Sequence, residues 1–276
     1  MTMRVTDDPA EFRATVFPFL ERDPVLHTII LSNVEQRAEG SYRPEEGDSV
    51  FVSVHDDAGA VVGAAMRTPS RPIYLGALEA QYAGAVAEVY AEKLPGAGGV
   101  AGALEATDAF MSRWTELRGV GASQTRGTRL HKLDELLRLQ AEGGPRLATE
   151  DEAQLAAEWI SIDFDDEIPG SNLVWAEQKI ADGTLWFWEE DSTPVSMVGH
   201  HLPIFGVCRV GPVYTPDEFR RNGYAGALTA YVTGEILAAG NQACLFTDLA
   251  NSTSNKIYRL AGYKPLADFV DLAFDR

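Results

Sequence analysis

Apolar positions along the chain fall into runs of two periods, and their order predicts a mixed α/β protein. Phe12 to Leu20 and Leu26 to Arg37 carry apolar residues at helical spacing. Val50 to Val54 and Val61 to Thr68 read as strands of a hairpin around Asp56-Asp57-Ala58-Gly59. Ile73 to Leu75 predicts a further strand, and Ala83 to Lys93 a helix. Later, Thr149-Glu150-Asp151-Glu152 forms a capping-box pattern that opens an amphipathic helix through Trp159. Leu173 to Ile180 predicts a second helix. Leu185 to Glu190 is aromatic-rich and strand-like, and Asp191-Ser192-Thr193-Pro194 turns it back into Val195 to Val198. A strand over Val210 to Tyr214, a long helix from about Tyr224 to Ala239 and a strand over Ala243 to Leu249 come next. A helix around Tyr258 and a closing strand near Phe269 to Phe274 complete the pattern.

Gln140-Ala141-Glu142-Gly143-Gly144-Pro145 is short, polar and broken by Gly and Pro, as linkers are, and divides the chain into domains 1–141 and 142–276. A chain of 276 residues has room for two ordinary domains, and 45% apolar with 23% charged residues supports a real core in each. The formal charge of −18 argues against nucleic acid as a partner, because phosphate binding needs a basic face. No run approaches the roughly 18 apolar residues that span a bilayer, and the first residues turn acidic with no apolar leader. The expectation is a cytoplasmic protein, monomer or homodimer, away from membranes. Cys208 and Cys244 lie in predicted strands and are expected to be buried thiols.

Chemistry concentrates after residue 205. Val210-Gly211-Pro212-Val213-Tyr214 leads through Arg220-Arg221-Asn222-Gly223-Tyr224-Ala225 into the long helix. First-turn amides have no intrahelical partner and the helix start carries roughly half a positive charge, so a strand–loop–helix with Arg and Gly at the mouth suits a phosphate group. The P-loop lysine and the GxGxxG fingerprint are both missing. Arg220-x-x-Gly223-x-Ala225 instead resembles the acyl-CoA pyrophosphate loop of the GCN5-related N-acetyltransferases. Asn251-Ser252-Thr253-Ser254-Asn255-Lys256-Ile257-Tyr258, closing on Gly262-Tyr263, resembles that family's second signature, and the two blocks stand in the family's order. The resemblance covers roughly residues 145 to 276. A fainter version of the same element order precedes it, without the loop after Ile73 to Leu75, so two such domains are expected, the first without its cofactor loop.

The resemblance implies acetyl-CoA as co-substrate and direct transfer of the acetyl group, in a ternary complex, to a primary amine of a small molecule. It implies that amides of about Arg221 to Ala225 hold the diphosphate, with Arg220, Arg221, Asn222, Gly223, Tyr224 and Ala225 forming the loop. Pro212 lacks an N–H and interrupts the strand ladder. In the family the pantetheine arm fills that gap, which here involves Val213, Tyr214 and Thr215. Asn251 and Ser254 match positions on the cofactor arm, and Tyr258 matches the phenol that protonates the departing thiolate. No GxSxG or Cys/His set supports a covalent route.

The general base is less defined. Phe205-Gly206-Val207-Cys208-Arg209 carries no acid where family members often have one. Glu189, Glu190, His200, His201 and Asp248 are candidates, with His201 or a water relay preferred. Adjacent histidines on a strand face opposite ways and no spaced third ligand is present, so no metal is expected. Asp165, Asp166 and Glu167 lie in a loop that borders the family's acceptor site and point to a cationic amine, with ordinary solvated loop charge as the competing reading. A non-catalytic acyl-CoA-binding or interaction module is the alternative from another class.

Overall fold

The computed structural model describes residues 1–40, 47–76, 78–163 and 170–275. Two compact units divide it. The first is Met1–Leu130 with Asp248–Ala250 and Leu266–Arg276, and the second is His131–Thr247 with Asn251–Pro265.

In chain order the first half runs β1 (Thr2–Thr6), α1 (Pro9–Leu20), α2 (Thr28–Ala38), β2 (Val50–His55), β3 (Val61–Arg67), β4 (Ile73–Tyr74), α3 (Ala80–Lys93), β5 (Gly99–Ala103), α4 (Leu104–Arg118) and β6 (Ala122–Leu133). The second half runs β7 (Gly144–Leu147), a 3-10 turn (Glu150–Glu152) leading into α5 (Ala153–Asp163), α6 (Ser171–Ala181), β8 (Leu185–Glu190), β9 (Thr193–His200) and β10 (Val207–Tyr214). A second 3-10 turn (Asp217–Phe219), α7 (Tyr224–Ala238), β11 (Gln242–Asp248), α8 (Ser252–Leu260) and β12 (Tyr263–Phe274) complete it. Both halves spell strand, two helices, three strands, helix, strand, helix, strand. The chain is a structural tandem, and the faint internal similarity read from the sequence is real.

In the first unit β1, β2, β3 and β4 pair antiparallel, β4 pairs parallel with β5, and β5 pairs antiparallel with Phe269 to Ala273 of β12. The β4–β5 ladder continues past the strand, because the Leu75 amide donates to the Ala101 carbonyl at 2.8 Å. Leu75 and Leu78 are buried in the core of the first unit at the start of the passage into α3. β1, β5, α4, β6 and β7 were not read from the sequence. Pro95 to Gly99 is rich in glycine, yet Gly99 begins β5, where Val100 and Ala101 are buried.

In the second unit β7, β8, β9 and β10 pair antiparallel and β10 pairs parallel with β11. The sheet separates two cores. Val198, Cys208, Val210 and Leu245 face Tyr224, Leu228 and Val232 of α7 and Tyr258 of α8, while Phe187, Met197 and Tyr214 face Trp159 and Ile160 of α5 and Ala176 of α6. The boundary drawn at residue 141 does not coincide with these units. The chain enters the second unit within β6, and Gly144 and Pro145 begin β7, the end strand of the sheet order, where a missing N–H is tolerated. The capping box forms as expected: the Glu152 carboxylate accepts from the Thr149 amide at 2.9 Å and from its hydroxyl at 2.9 Å. Among the described residues, no helix is long and apolar enough to cross a membrane.

Candidate active site

The site begins where β10 and β11 part. Their parallel ladder joins Val207 to Gln242, Cys208 to Ala243, Arg209 to Cys244 and Val210 to Leu245, and stops there. On its other side β10 stays paired with β9, but His200 faces Val210 while Val198 faces Val213, so β10 gains one residue at Gly211-Pro212. A bulge of this kind bends its strand away from a neighbour. Residues 211–214 of β10 therefore have no rung to β11, and the two strands part beyond Val210 and Leu245. Pro212 stands where they part, as the missing N–H predicted.

The loop beyond is braced by its own members. Ser196 Oγ donates to the Tyr214 carbonyl at 3.0 Å and lies 2.8 Å from Thr215 Oγ1. Arg220 Nε donates to the Thr215 carbonyl at 3.0 Å, and its Nη1 meets Asp217 at 2.7 Å. Asn222 Nδ2 donates to the Phe219 carbonyl at 3.2 Å. Arg221 and Gly223 both hold left-handed backbone, with φ of +72° and +88°. Gly223 is the N-cap of α7 and brings no capping side chain. The first α7 amide that closes an intrahelical bond is that of Ala227, onto the Gly223 carbonyl, so those of Tyr224, Ala225 and Gly226 precede the ladder at an uncapped, partly positive helix end. Exposed Arg221 adds a guanidinium. This is a fitting receptacle for a diphosphate.

Tyr224 opens α7 with its ring buried, and its hydroxyl donates to Glu190 at the end of β8. That bond first, then burial, pushes the phenol up to about 12. Glu190 is thereby committed to pinning the helix start. Glu189 receives Arg146, which also holds Glu152 through two bonds of 2.7 and 2.8 Å. Asp248 pairs with Arg126 at 3.3 Å. Three of the five base candidates are therefore engaged in structural pairs.

The histidines at the end of β9 differ from each other. Arg209 Nη2 donates to His201 Nε2 at 2.9 Å, which makes Nε2 the lone-pair nitrogen and leaves the proton on Nδ1. Burial, then the Arg209 and Lys179 charges, hold this imidazole well below its usual range. A proton arriving at Nε2 would meet a guanidinium, so His201 is not placed to act as base, contrary to the sequence preference. His200 donates through Nδ1 to the His201 carbonyl at 3.0 Å and keeps its lone pair on Nε2. Lys179, not singled out from the sequence, lies buried beside them. Its ammonium donates to the His200 carbonyl at 2.9 Å and lies 5.6 Å from the centre of the Trp175 ring. Only its place on the inner face of α6 could have signalled it.

Beyond β11, α8 begins at Asn251, whose side-chain carbonyl accepts the Ser254 amide at 3.0 Å. The sequence assigned both residues to the cofactor arm; the structure shows them capping the helix that carries Tyr258. Thr247 Oγ1 donates to Asn255 at 2.8 Å and ties β11 to the same turn. Tyr258 is buried, edge-on to Tyr263 with ring centres 6.3 Å apart. Tyr224 and Tyr258 share one core cluster, with Val213 packed against it. Asp165, Asp166 and Glu167 lie outside the described residues. Among the described residues, no group of three or more His, Cys, Asp and Glu could hold a metal ion.

A mixed sheet flanked by helices, with one uncapped helix start at a parted strand pair, defines the class of fold, and known structures specify it further. Residues 193–269 match the family model described as FR47-like protein. An acetyltransferase of the GNAT family from Colwellia psychrerythraea superposes with a TM-score of 0.63 at 9% identity, covering 100% of both chains. A GCN5-related N-acetyltransferase from Sphaerobacter thermophilus gives 0.63 at 16%, over 99% of this chain and 95% of that one. A tandem GNAT protein from the clavulanic acid biosynthesis pathway gives 0.56 at 11%, over 99% and 98%. No curated protein matches the sequence. The chain has the GCN5-related N-acetyltransferase fold, laid down twice.

Proposed function

We propose that the second unit is an acetyl-CoA-dependent N-acetyltransferase acting on a primary amine of a small molecule. The observation that carries this reading is the coincidence, in one unit, of the parted β10–β11 pair, the uncapped α7 start and Tyr258. The amides of residues 221–225, with Arg221, bind and orient the diphosphate, and the edge of β10 at Val213 to Thr215 receives the pantetheine arm. Acetyl-CoA would supply the acyl group there as a thioester, leaving coenzyme A as the thiol product. Tyr258 donates its phenolic proton to the departing sulfur as charge develops. The buried side chains beside the parted strands exclude water from the acyl group. The amine proton leaves through water, with His200 Nε2 as the open imidazole nitrogen of the pair. The acidic run Asp165-Asp166-Glu167 favours a cationic acceptor.

Thiol release from acetyl-CoA, followed across a panel of polyamines, aminosugars and amino acids, tests the reading. Calorimetry of coenzyme A with the full chain should show one site. Binding without turnover on any amine would make the chain an acyl-CoA-binding module, and no binding would end the assignment.

A further inference from the structure

The stretch that leaves β6 at Asp134 and runs into the linker-like Gln140–Pro145 is built into the second unit, and it packs along α7 and the end of α8. The Asp134 amide donates to the Gly262 carbonyl and the Leu137 amide to the Ala261 carbonyl, both at 3.1 Å. A β-carbon on residue 262, whose φ is +99°, would overlap the Glu135 carbonyl. Only glycine lets the segment pass there. This gives the Gly of Gly262-Tyr263 a physical reason that has nothing to do with the cofactor directly.

Further along, Leu136 lies against Gly234 of α7. Leu139 Cδ1 comes within 3.0 Å of the point where a β-carbon on Gly226 would stand, and Ile257 Cγ2 of α8 is 3.5 Å from the same point. The Gln140 carbonyl and Ala141 come within 3.7 and 3.8 Å of the equivalent point on Gly223. Trp188 Nε1 then fastens the Glu142 carbonyl at 2.6 Å. The first unit needs no such piece between its counterpart helices. There α3 and α4 pack directly on each other, with Arg113 Nε donating to Glu88 at 2.8 Å and Gly84 lying against the Arg113 stem.

We propose that Leu139 is a positioning residue of the cofactor site, fixing the start of α7 against the turn of α8 that carries Tyr258. Gly226 bears the last amide ahead of the α7 ladder, and Ile257 is the neighbour of Tyr258. Leu139 and Ile257 converge on the same face of Gly226, so the leucine side chain helps set how the α7 start lies against the α8 turn. The inference rests on the proposed function, since it takes coenzyme A to bind at the α7 start.

The full chain carrying Leu139→Ala, Leu139→Val or Leu139→Met tests it. Coenzyme A affinity is measured by calorimetry, with kcat and KM for acetyl-CoA and for the acceptor. Leu139→Ala should weaken coenzyme A about tenfold and lower kcat by up to roughly 10²-fold, as a misplacement of about 1 Å does, with acceptor KM unchanged. Leu139→Met, which conserves volume, should restore both. If Leu139→Ala fails to fold, the milder Leu139→Val should show the same split in smaller measure. Wild-type protein that does not bind coenzyme A removes the functional reading, and the inference with it. Wild-type binding with unchanged cofactor affinity and kcat in the foldable variants removes the inference alone. So does a loss shared equally by acceptor KM, or a fall in thermal stability with kinetics intact.

Discussion

Val210 and Leu245 form the last rung joining β10 to β11, and the departure of β10 beyond that rung decides what the second unit can do. Past it Gly211 and Pro212 bulge against β9, so the strand turns from one neighbour while keeping the other. The corresponding strands of the first unit stay joined through Leu75 and Ala101, and Leu75 and Leu78 are buried there. The same sequence of elements thus yields one parted strand pair and one that stays joined. The difference lies in a proline and a loop in one copy, against two leucines in the other.

Tyr258→Phe should lower turnover by roughly 10² to 10⁴ and leave coenzyme A affinity nearly unchanged. The ring packs edge-on to Tyr263 and stays in place when the hydroxyl is removed, so the fold should hold. Stopped-flow or single-turnover kinetics with a good acceptor measure this. Full turnover under chemistry-limited conditions would take the phenol out of the mechanism.

Gly223→Ala should weaken coenzyme A without a steric clash. A β-carbon at residue 223 would meet nothing closer than 3.7 Å, but the backbone sits at φ +88°. An alanine there costs on the order of 1–2 kcal/mol or shifts the turn, and a shifted turn re-aims the α7 amides. Calorimetric affinity together with a thermal melt separates the effects. Equal affinity with a lower melting temperature would mean that the turn tolerates strain without moving.

Much of this site was legible because its signals are local. Arg220-x-x-Gly223-x-Ala225 needs a left-handed glycine and small residues at one helix start, and Pro212 breaks one ladder; both are statements about a few adjacent residues. The strands and helices with strong periodicity, such as α7 and the β8–β9 hairpin, were legible for the same reason. What escaped depends on contacts far apart in the chain. Arg209 taking the lone pair of His201, Glu190 held by Tyr224 and Leu139 seated at Gly226 leave no mark in local spacing. The run from Gln140 to Pro145 has the composition of a linker, yet Gly143 and Pro145 serve a tight turn and an end strand. Val100 and Ala101 of β5 hide between glycines, where strand periodicity is too short to read.

Glu190→Gln should leave turnover within a few-fold of wild type, because this carboxylate is occupied in holding Tyr224 and an amide oxygen can still accept that hydroxyl. The Tyr224 phenol should then titrate lower than about 12, since its hydrogen bond to a charged oxygen is the first cause of the shift. Ultraviolet titration of the tyrosines tracks this, and the rate assay runs alongside. A loss of 10²-fold or more in kcat would restore Glu190 as the base.

Lys179 gives the second unit a stability that changes with pH. Its ammonium is buried, and desolvation first, with Arg209 nearby, lowers it from 10.5 to about 8, while Asp182 and Cys208 act in the opposite direction. His200 and His201 face the same space and are themselves held low by burial. Below pH 8 the lysine is charged in both folded and unfolded chains, so the full cost of burying that charge is present. Between about 8 and 10.5 the unfolded chain binds the proton and the folded chain does not, so stability rises with pH. Lys179→Met fills the same space without a charge. Relative to wild type it should gain most at neutral pH, and the gap should narrow by about 2–3 kcal/mol between pH 7 and pH 10. Urea unfolding of both proteins across that range measures the gap. A constant difference would show that Lys179 keeps its proton throughout, through a counter-charge stronger than Asp182.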